Sequence, residues 1–509
     1  MIGEHLLWRV LDADEENKRF ALRWPIMLRP LLASASLSTT RMGGRRNHPV
    51  TAYGAVGDGT TDCTNAIAAA VAAASSWQAG RPLGSSRRAV VKFPRGGVFL
   101  TRPFNVSSGI VLEVGGVIRG ATGDAALRSW PRIPPLPSYG RDRDLTCTYG
   151  HPDTRQRYQA LVMAAGARGL VIRGRGTIDG QGPWWWERSA CTGTRKGCRK
   201  LKAGRPHLLE LHNCSHVEVT GVTLRDSPFW TLHPVYSEHV HIHHITLRAP
   251  MYAPNADGIN PDSSRHVMIE HNDVSCGDDH VAIKAGLSAL ARQAFPRFIT
   301  ENVTVRHNTL RAGMGISVGS ETSGGIRDVR VHDNVMLGEG WCAGLHLKTT
   351  PHRGNMVERV SFRNNALFNT SAFMKLETNY QAKGPARQPK GYAPTAVRDL
   401  EWVNNSWTPG DGRARSAWVC PEHSACSGIV VVNNSAPPRS KWRCAHVASY
   451  TVSGNSPAGL EACMRKSRAA PRRRTGEGRR WRKFRWQSGG GAVATWEYEK
   501  AKGRRSVRS

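Results

Sequence analysis

Val303-Thr-Val-Arg-His-Asn-Thr-Leu310 is followed, 26 residues from start to start, by Val329-Arg-Val-His-Asp-Asn-Val-Met336. Both octets carry apolar side chains at positions one, three and eight and an asparagine at position six. The same frame fits Val217–Leu224, Val240–Leu247, Val267–Val274, Val360–Leu367 and Leu400–Trp407, with start-to-start spacings of 23, 27, 36, 26, 31 and 40 residues along the series. Apolar alternation at period two is the mark of a strand with one buried face. One strand-plus-turn unit recurring every few tens of residues means a solenoid, in which each unit buries its apolar face against its neighbours. The predicted fold class is therefore all-β, a parallel β-helix. Stacked coils would bring Asn272, Asn308, Asn334, Asn365 and Asn405 one above another, where their amides can hydrogen-bond along the stack. A β-sandwich also has many strands, but it gives no reason for the same residue to recur at the same phase.

Working outward, the first ordered unit is expected near Val50. The turn-rich Tyr53-Gly-Ala-Val-Gly-Asp-Gly59 leads to Thr61-Asp-Cys-Thr64, which offers N-caps for an alanine-rich helix over Asn65–Ala74. Strands are expected at Ala89–Phe93, Gly97–Leu100, Ile110–Val114 and Gly169–Ile172. Residues 1–47 read as an extension. Its apolar stretch Trp24–Ser38 starts late for a signal peptide and contains Pro25, Arg29 and Pro30, as a degraded signal or anchor or a misplaced start codon would. Residues 48–464 read as the β-helix domain. Residues 465–509 read as a basic tail, expected to be disordered, with 16 Lys/Arg against 3 Asp/Glu.

The formal net charge is +32, of which the body before that tail carries +19. A basic body suits a polyanion, and charge alone does not choose between nucleic acid and acidic polysaccharide. No apolar run is long enough to span a bilayer, so no membrane partner is expected. The 11 cysteines have no zinc-site spacing. Cys191/Cys198, Cys420/Cys426 and Cys444/Cys463 are close enough in sequence to close local disulfides. Six Asn-x-Ser/Thr sequons stand at Asn105, Asn213, Asn302, Asn369, Asn404 and Asn433. Disulfides and sequons both fit a secreted, extracellular protein.

Three aspartates carry the chemistry: Asp257 in Asn255-Ala-Asp-Gly258, and Asp278-Asp279 in Cys276-Gly-Asp-Asp-His280. Asp257 and Asp278 are 21 residues apart, close to one short coil, so stacking brings them together. Crowded carboxylates repel, and at least one holds its proton toward neutral pH. A proton-holding acid beside ionised carboxylates is the equipment of glycoside hydrolysis. A separation of roughly 6.5–9.5 Å would leave room for a water and predict inversion. Turn aspartates beside glycine are common, but two such turns at coil spacing favour a site.

The chain resembles glycoside hydrolase family 28, the polygalacturonases, and in particular its plant-type branch. The likeness runs from about Val50 to Cys463. It is carried by Tyr53–Asp62, Gly176-Thr-Ile-Asp-Gly-Gln-Gly182, Arg205–Glu210, Ser227–Pro234, Asn255–Asp262, Gly277-Asp-Asp279 and Gly315–Glu321, in that order. The resemblance implies a right-handed, pectin lyase-like parallel β-helix that hydrolyses α-1,4-galacturonosyl linkages of pectin or polygalacturonate with inversion. It implies Asp278 as general acid, Asp257 and Asp279 on the attacking water, Lys348 on a substrate carboxylate, and no metal or organic cofactor. A monomer in cell-wall polysaccharide metabolism is the matching expectation. Three positions depart from the family pattern. Asn255-Ala-Asp257 replaces Asn-Thr-Asp, Met314 stands where a histidine is frequent, and His346-Leu-Lys348 replaces Arg-Ile-Lys. Because His346 is charged only when protonated, weaker uronate binding, an acidic optimum or a different sugar is expected.

Lys284 follows the acid pair and is a candidate for contacting substrate or pairing with Asp279. His239, His241, His243 and His244 alternate on a strand; exposed faces explain them better than a metal does. Trp184–Trp186 reads equally as a sugar platform or as corner packing. The alternatives to a hydrolase of galacturonan are a weakened or inactive polyuronate-binding β-helix, a hydrolase of a related pectic polymer, and, least favoured, nucleic-acid binding through the basic tail.

Overall fold

The computed structural model describes residues 46–82, 87–140, 156–189, 201–338, 344–351, 353–380, 394–409, 415–421, 424–436, 440–454, 457 and 459–468. Parallel strands stack into three long sheets wound as a right-handed parallel β-helix. One sheet runs from Arg46–Pro49 to Tyr450–Ser453 and holds the first half of each octet. A second holds the short strands that carry position eight, such as Thr223–Arg225 and Thr309–Leu310. The third, called here the site sheet, joins Phe104–Val106, Val162–Ala165, Leu209–His212 and Leu232–Val235 to a series from Val281–Ile283 to Lys441–Ala445. Single bridges through Ile259 and Asp262 link the two series.

The octet pattern becomes register directly. Val217, Val240, Val267, Val303, Val329, Val360 and Leu400 pair in turn across adjacent strands. All are buried in one continuous core. The asparagine stack forms as expected. Asn308 accepts at its Oδ1 from the backbone N–H and Nδ2 of Asn272, at 3.0 Å each. Asn334, Asn365 and Asn405 repeat the arrangement one coil at a time. The stack runs one coil further than the octets quoted above, to Asn434.

The alanine-rich helix spans Thr64–Gln78, longer than expected, and turns Ile67, Ala70, Val71 and Ala74 onto the first coils. Asp62 starts it by accepting the Thr64 N–H at 2.9 Å. Strands at Ala89–Phe93, Val98–Thr101, Val111–Val114 and Val171–Gly174 agree with the reading within two residues. A C-terminal helix, Leu460–Arg468, crosses residue 465, so helical structure continues past the expected start of the tail. Cys420–Cys426 and Cys444–Cys463 are disulfides. Cys191, Cys198 and the chain before residue 46 and after residue 468 lie outside the described residues.

Candidate active site

The site is built where the coils containing Asp257 and Asp279 stack. Gly258 N–H bonds Asp279 C=O and Ile259 N–H bonds His280 C=O, which locks the two coils in register. Asp257, Asp278 and Asp279 each place an oxygen within 4.8 Å of the others. Asp257 and Asp279 are buried, while Asp278 is half-buried and is the member that faces solvent. Oxygens no more than 4.8 Å apart can share one water that hydrogen-bonds two of them at about 2.8 Å each. The spacing thus fits a single bridging water, and the stereochemical outcome does not follow from it.

Electrostatics divides the three carboxyls. Asp279 is clamped: Lys348 Nζ donates to its Oδ2 at 2.6 Å and Ser317 Oγ to its Oδ1 at 2.8 Å. Burial pushes Asp278 up to about 6, with Asp279 adding repulsion and Lys348 and Lys284 pulling the other way. Asp257 is raised well above the ordinary carboxylate range by burial first and Asp278 second. One proton therefore stays on the Asp257–Asp278 pair at pH values where an exposed aspartate is ionised. Two such groups titrate together and not as individuals.

Lys284 does not pair with Asp279, the partner weighed from sequence. Its Nζ lies 3.1 Å from Glu321 and 3.6 Å from Asp257, over the Trp230 ring at 4.2 Å. It is 4% exposed, its ammonium held among these three groups. Lys348 likewise serves Asp279 first; opposite it in register stands Gly319, where a Cβ would lie 1.8 Å from the Lys348 carbonyl oxygen. Only a glycine (φ 98°) leaves room for that strand to approach. His346 is 3% exposed, 2.9 Å from Glu377 and edge-on to Tyr380. Burial holds its pKa down at about 4, against the pull of Glu377, which is itself lowered to about 2. With its pKa near 4 the ring is mostly neutral above about pH 5, which confines any cation here to more acidic conditions than the sequence reading allowed.

Four contributors were not read from the sequence. Arg205 is buried and donates to Pro228 C=O, Pro254 C=O and Asn255 Oδ1, pinning the loop before Asp257. His280 accepts from Gly315 N–H at 3.0 Å and bonds Ala312 C=O at 3.0 Å, which shapes the turn holding Met314. Ser317 and Glu321 complete the set. Ser317, Glu321, Arg205 and His280 all lie inside or beside motifs noted above, but only coil stacking brings them to the site. Met314 is half-buried, and its N–H holds the Asp278 carbonyl at 2.8 Å.

Trp185 is fully buried between Trp130 and Tyr158, and the Trp186 indole N–H bonds Ser227 C=O, so those two pack a corner. The strand histidines stack with their neighbours on adjacent coils, His216–His239–His266 and His244–His271–His307, at centroid distances of 4.7–5.2 Å. Two groups among the described residues have spacing that suits a metal: the aspartate trio and His207–Glu210–His233. In the trio, the ammonium groups of Lys284 and Lys348 already supply the neutralising charge. In the second, Arg157 grips Glu210 with both guanidinium nitrogens. Against the cost of burial, Asp262 and Glu210 push His233 up to about 9, which favours the imidazolium, a form with no lone pair to give.

The model of glycosyl hydrolases family 28 matches residues 145–454. A probable polygalacturonase of Vitis vinifera is 37% identical over 316 residues, 61% of this chain and 58% of the relative. The chain thus matches little more than half of that relative's length. An endo-polygalacturonase of Pectobacterium carotovorum subsp. carotovorum is 30% identical over 304 residues, 57% of this chain and 68% of the relative. Among solved structures, an exopolygalacturonase from Thermotoga maritima superposes with a TM-score of 0.65 at 25% identity, over 81% of this chain and 92% of its own. With a family model covering well over half the sequence, a β-helix in common and the acid trio at the junction of two coils, the chain belongs to glycosyl hydrolases family 28.

Proposed function

We propose that the β-helix of residues 48–464 hydrolyses the α-1,4-galacturonosyl linkages of pectin or polygalacturonate with inversion, as a monomer and without a metal or organic cofactor. The observation that carries this reading is the trio itself: one clamped carboxylate and a proton-sharing pair around a gap that fits one water. Asp278, the half-exposed member, gives its proton to the leaving oxygen as the bond from that oxygen to the anomeric carbon breaks. The water between Asp257 and Asp279 attacks that carbon from the opposite face and passes its proton to one of these two carboxylates. Release of that proton to solvent and return of one to Asp278 close the cycle. Lys348, with two further N–H donors beyond the one on Asp279, is positioned to meet a substrate carboxylate. The polygalacturonases among the relatives support the substrate class. Two disulfides among the described residues support a place outside the cell, where pectin lies.

The test is reducing-end release from polygalacturonate, with anomeric configuration of the new ends read by proton NMR. Release that disappears in Asp278→Asn supports the reading. Equal release by the variant would overturn the role of Asp278, and initial products of retained configuration would overturn inversion.

A further inference from the structure

We propose that the groove is closed at its N-terminal end, and that the protein attacks chain ends, releasing mono- or disaccharide. This rests on the hydrolytic reading above. The outward row of the site sheet can be followed from coil to coil by register. Glu210 pairs with His233, and Ser317 with His346, which pairs with Lys375. Along that row Glu210, His233, Asn260 and Ser317 are 0% exposed and His346 3%. Lys375 is partly exposed and Arg443 exposed. Among the described residues the row is covered from Glu210 to His346 and emerges at Lys375 and Arg443.

The cover is made of Trp130–Gly140 and residues 156–160, joined by an antiparallel pairing of Arg132–Ile133 with Arg157–Tyr158. It is fixed by buried polar contacts. Arg157 lies on Glu210, and the Tyr139 hydroxyl donates to Asp262. The Ser138 carbonyl accepts from the N–H groups of Leu287 and Ser288 at 2.9 Å each. Leu136, Tyr139, Phe229, Trp230, Val235 and Leu287 seal it as a separate apolar cluster. The segment is therefore a wall. It reaches the coil of the trio itself, because Tyr139 grips Asp262, five residues after Asp257, and packs edge-on to Trp230 at 6.3 Å.

A polysaccharide laid along the coils advances about 4.8 Å per coil. From the trio toward the N-terminus it meets the wall within about one coil step. Toward the C-terminus the row passes Lys375 and, across Ala417, Arg443, two cations suited to a polyuronate, with Glu377 beside Lys375 and paired in register with Lys348. A groove of this shape admits a chain end against the wall and leaves the remainder of the polymer on the open side.

The experiment is to incubate the full-length protein with polygalacturonate, resolving early products by anion-exchange chromatography while following viscosity. Mono- or digalacturonate as the sole early product, with viscosity lagging far behind reducing-end release, is expected. A ladder of intermediate oligomers with early collapse of viscosity would overturn end attack while leaving hydrolysis standing. Absence of any reducing ends would instead defeat the hydrolytic reading, a distinguishable result.

Discussion

At the scale of single residues, the trio is a stability cost kept for chemistry. Asp278 is raised to about 6, so the folded protein holds a proton that the unfolded chain releases near the ordinary aspartate value of 3.8. Its contribution to stability is full below about pH 4 and is lost as pH rises through about 6. Asp278→Asn removes that loss: at pH 7 the variant should unfold at higher temperature, by on the order of 1–2 kcal/mol after allowance for partial exposure. At the same time kcat should fall by about 10²–10⁴-fold. Thermal melts at pH 4 and 7 check the first part, and a variant no more stable at pH 7 would refute it. The same pKa sets the alkaline limb of kcat/KM for the native protein near pH 6, where Asp278 loses the proton it must donate. His346 makes the contrasting case. Mostly neutral above about pH 5, it should be replaceable: His346→Gln is expected to keep KM within about threefold between pH 5 and 7, since little charge is removed. A KM that rises steeply only at pH 5 would show that a protonated His346 grips the substrate after all. The three aspartates were legible because their spacing matches one coil. The fates of Lys284 and His346 were not, because which neighbour a side chain meets depends on the coils above and below it.

At the scale of elements, the asparagine stack ties turn to turn. Asn334 accepts twice from Asn308 and donates to Val305 C=O, His332 C=O and Asn365 Oδ1, all out of water. Asn272, the first of the series, accepts the Ile245 N–H and donates to Ile242 C=O and Asn308 Oδ1. Asn334→Ala leaves buried donors and acceptors unmet on both sides and should cost about 3 kcal/mol or more; Asn272→Ala, with one asparagine neighbour instead of two, should cost less, on the order of 2 kcal/mol. Denaturant unfolding of the two variants checks the order, and equal losses would mean the amides do not act as a ladder. The stack was readable because position six repeats. The rung at Asn434, in Ile429–Ala436, follows the same frame but ends in alanine where the other octets end in a larger apolar residue, which hid it. Turn geometry also accounts for the sequons. Asn213, Asn302, Asn369, Asn404 and Asn433 all sit at φ between 50° and 54°, the left-handed conformation that asparagine tolerates best among residues with a side chain. Those five sequons follow from the fold, and secretion rests more firmly on the disulfides.

At the scale of the whole molecule, a solenoid stabilises each coil only through its neighbours, so damage at one end need not reach a site in the middle. The ends need covering because an open coil exposes apolar core and unpaired strand edges. Thr64–Gln78 does this at one end, packed on the strand Ala89–Phe93. At the other, Leu460–Arg468 packs on the strand Lys441–Ala445, with Leu460 and Met464 fully buried and Cys463 bonded to Cys444. That disulfide closes a separation of 19 residues, for which chain entropy gives about 3 kcal/mol. Replacing both cysteines, Cys444→Ser with Cys463→Ser, should therefore loosen the C-terminal coils by about that amount. Trp402, Trp407, Trp418 and Trp442 lie in these coils and report the loosening by fluorescence. The catalytic coils, from Asn255 to Lys348, lie several strands away in every sheet. Activity in mild denaturant should then survive beyond the first fluorescence transition of the variant, whereas in the native protein the two should fall together. Simultaneous loss of activity and fluorescence in the variant would mean that the coils unfold as one cooperative body and that the C-terminal helix supports the site from a distance.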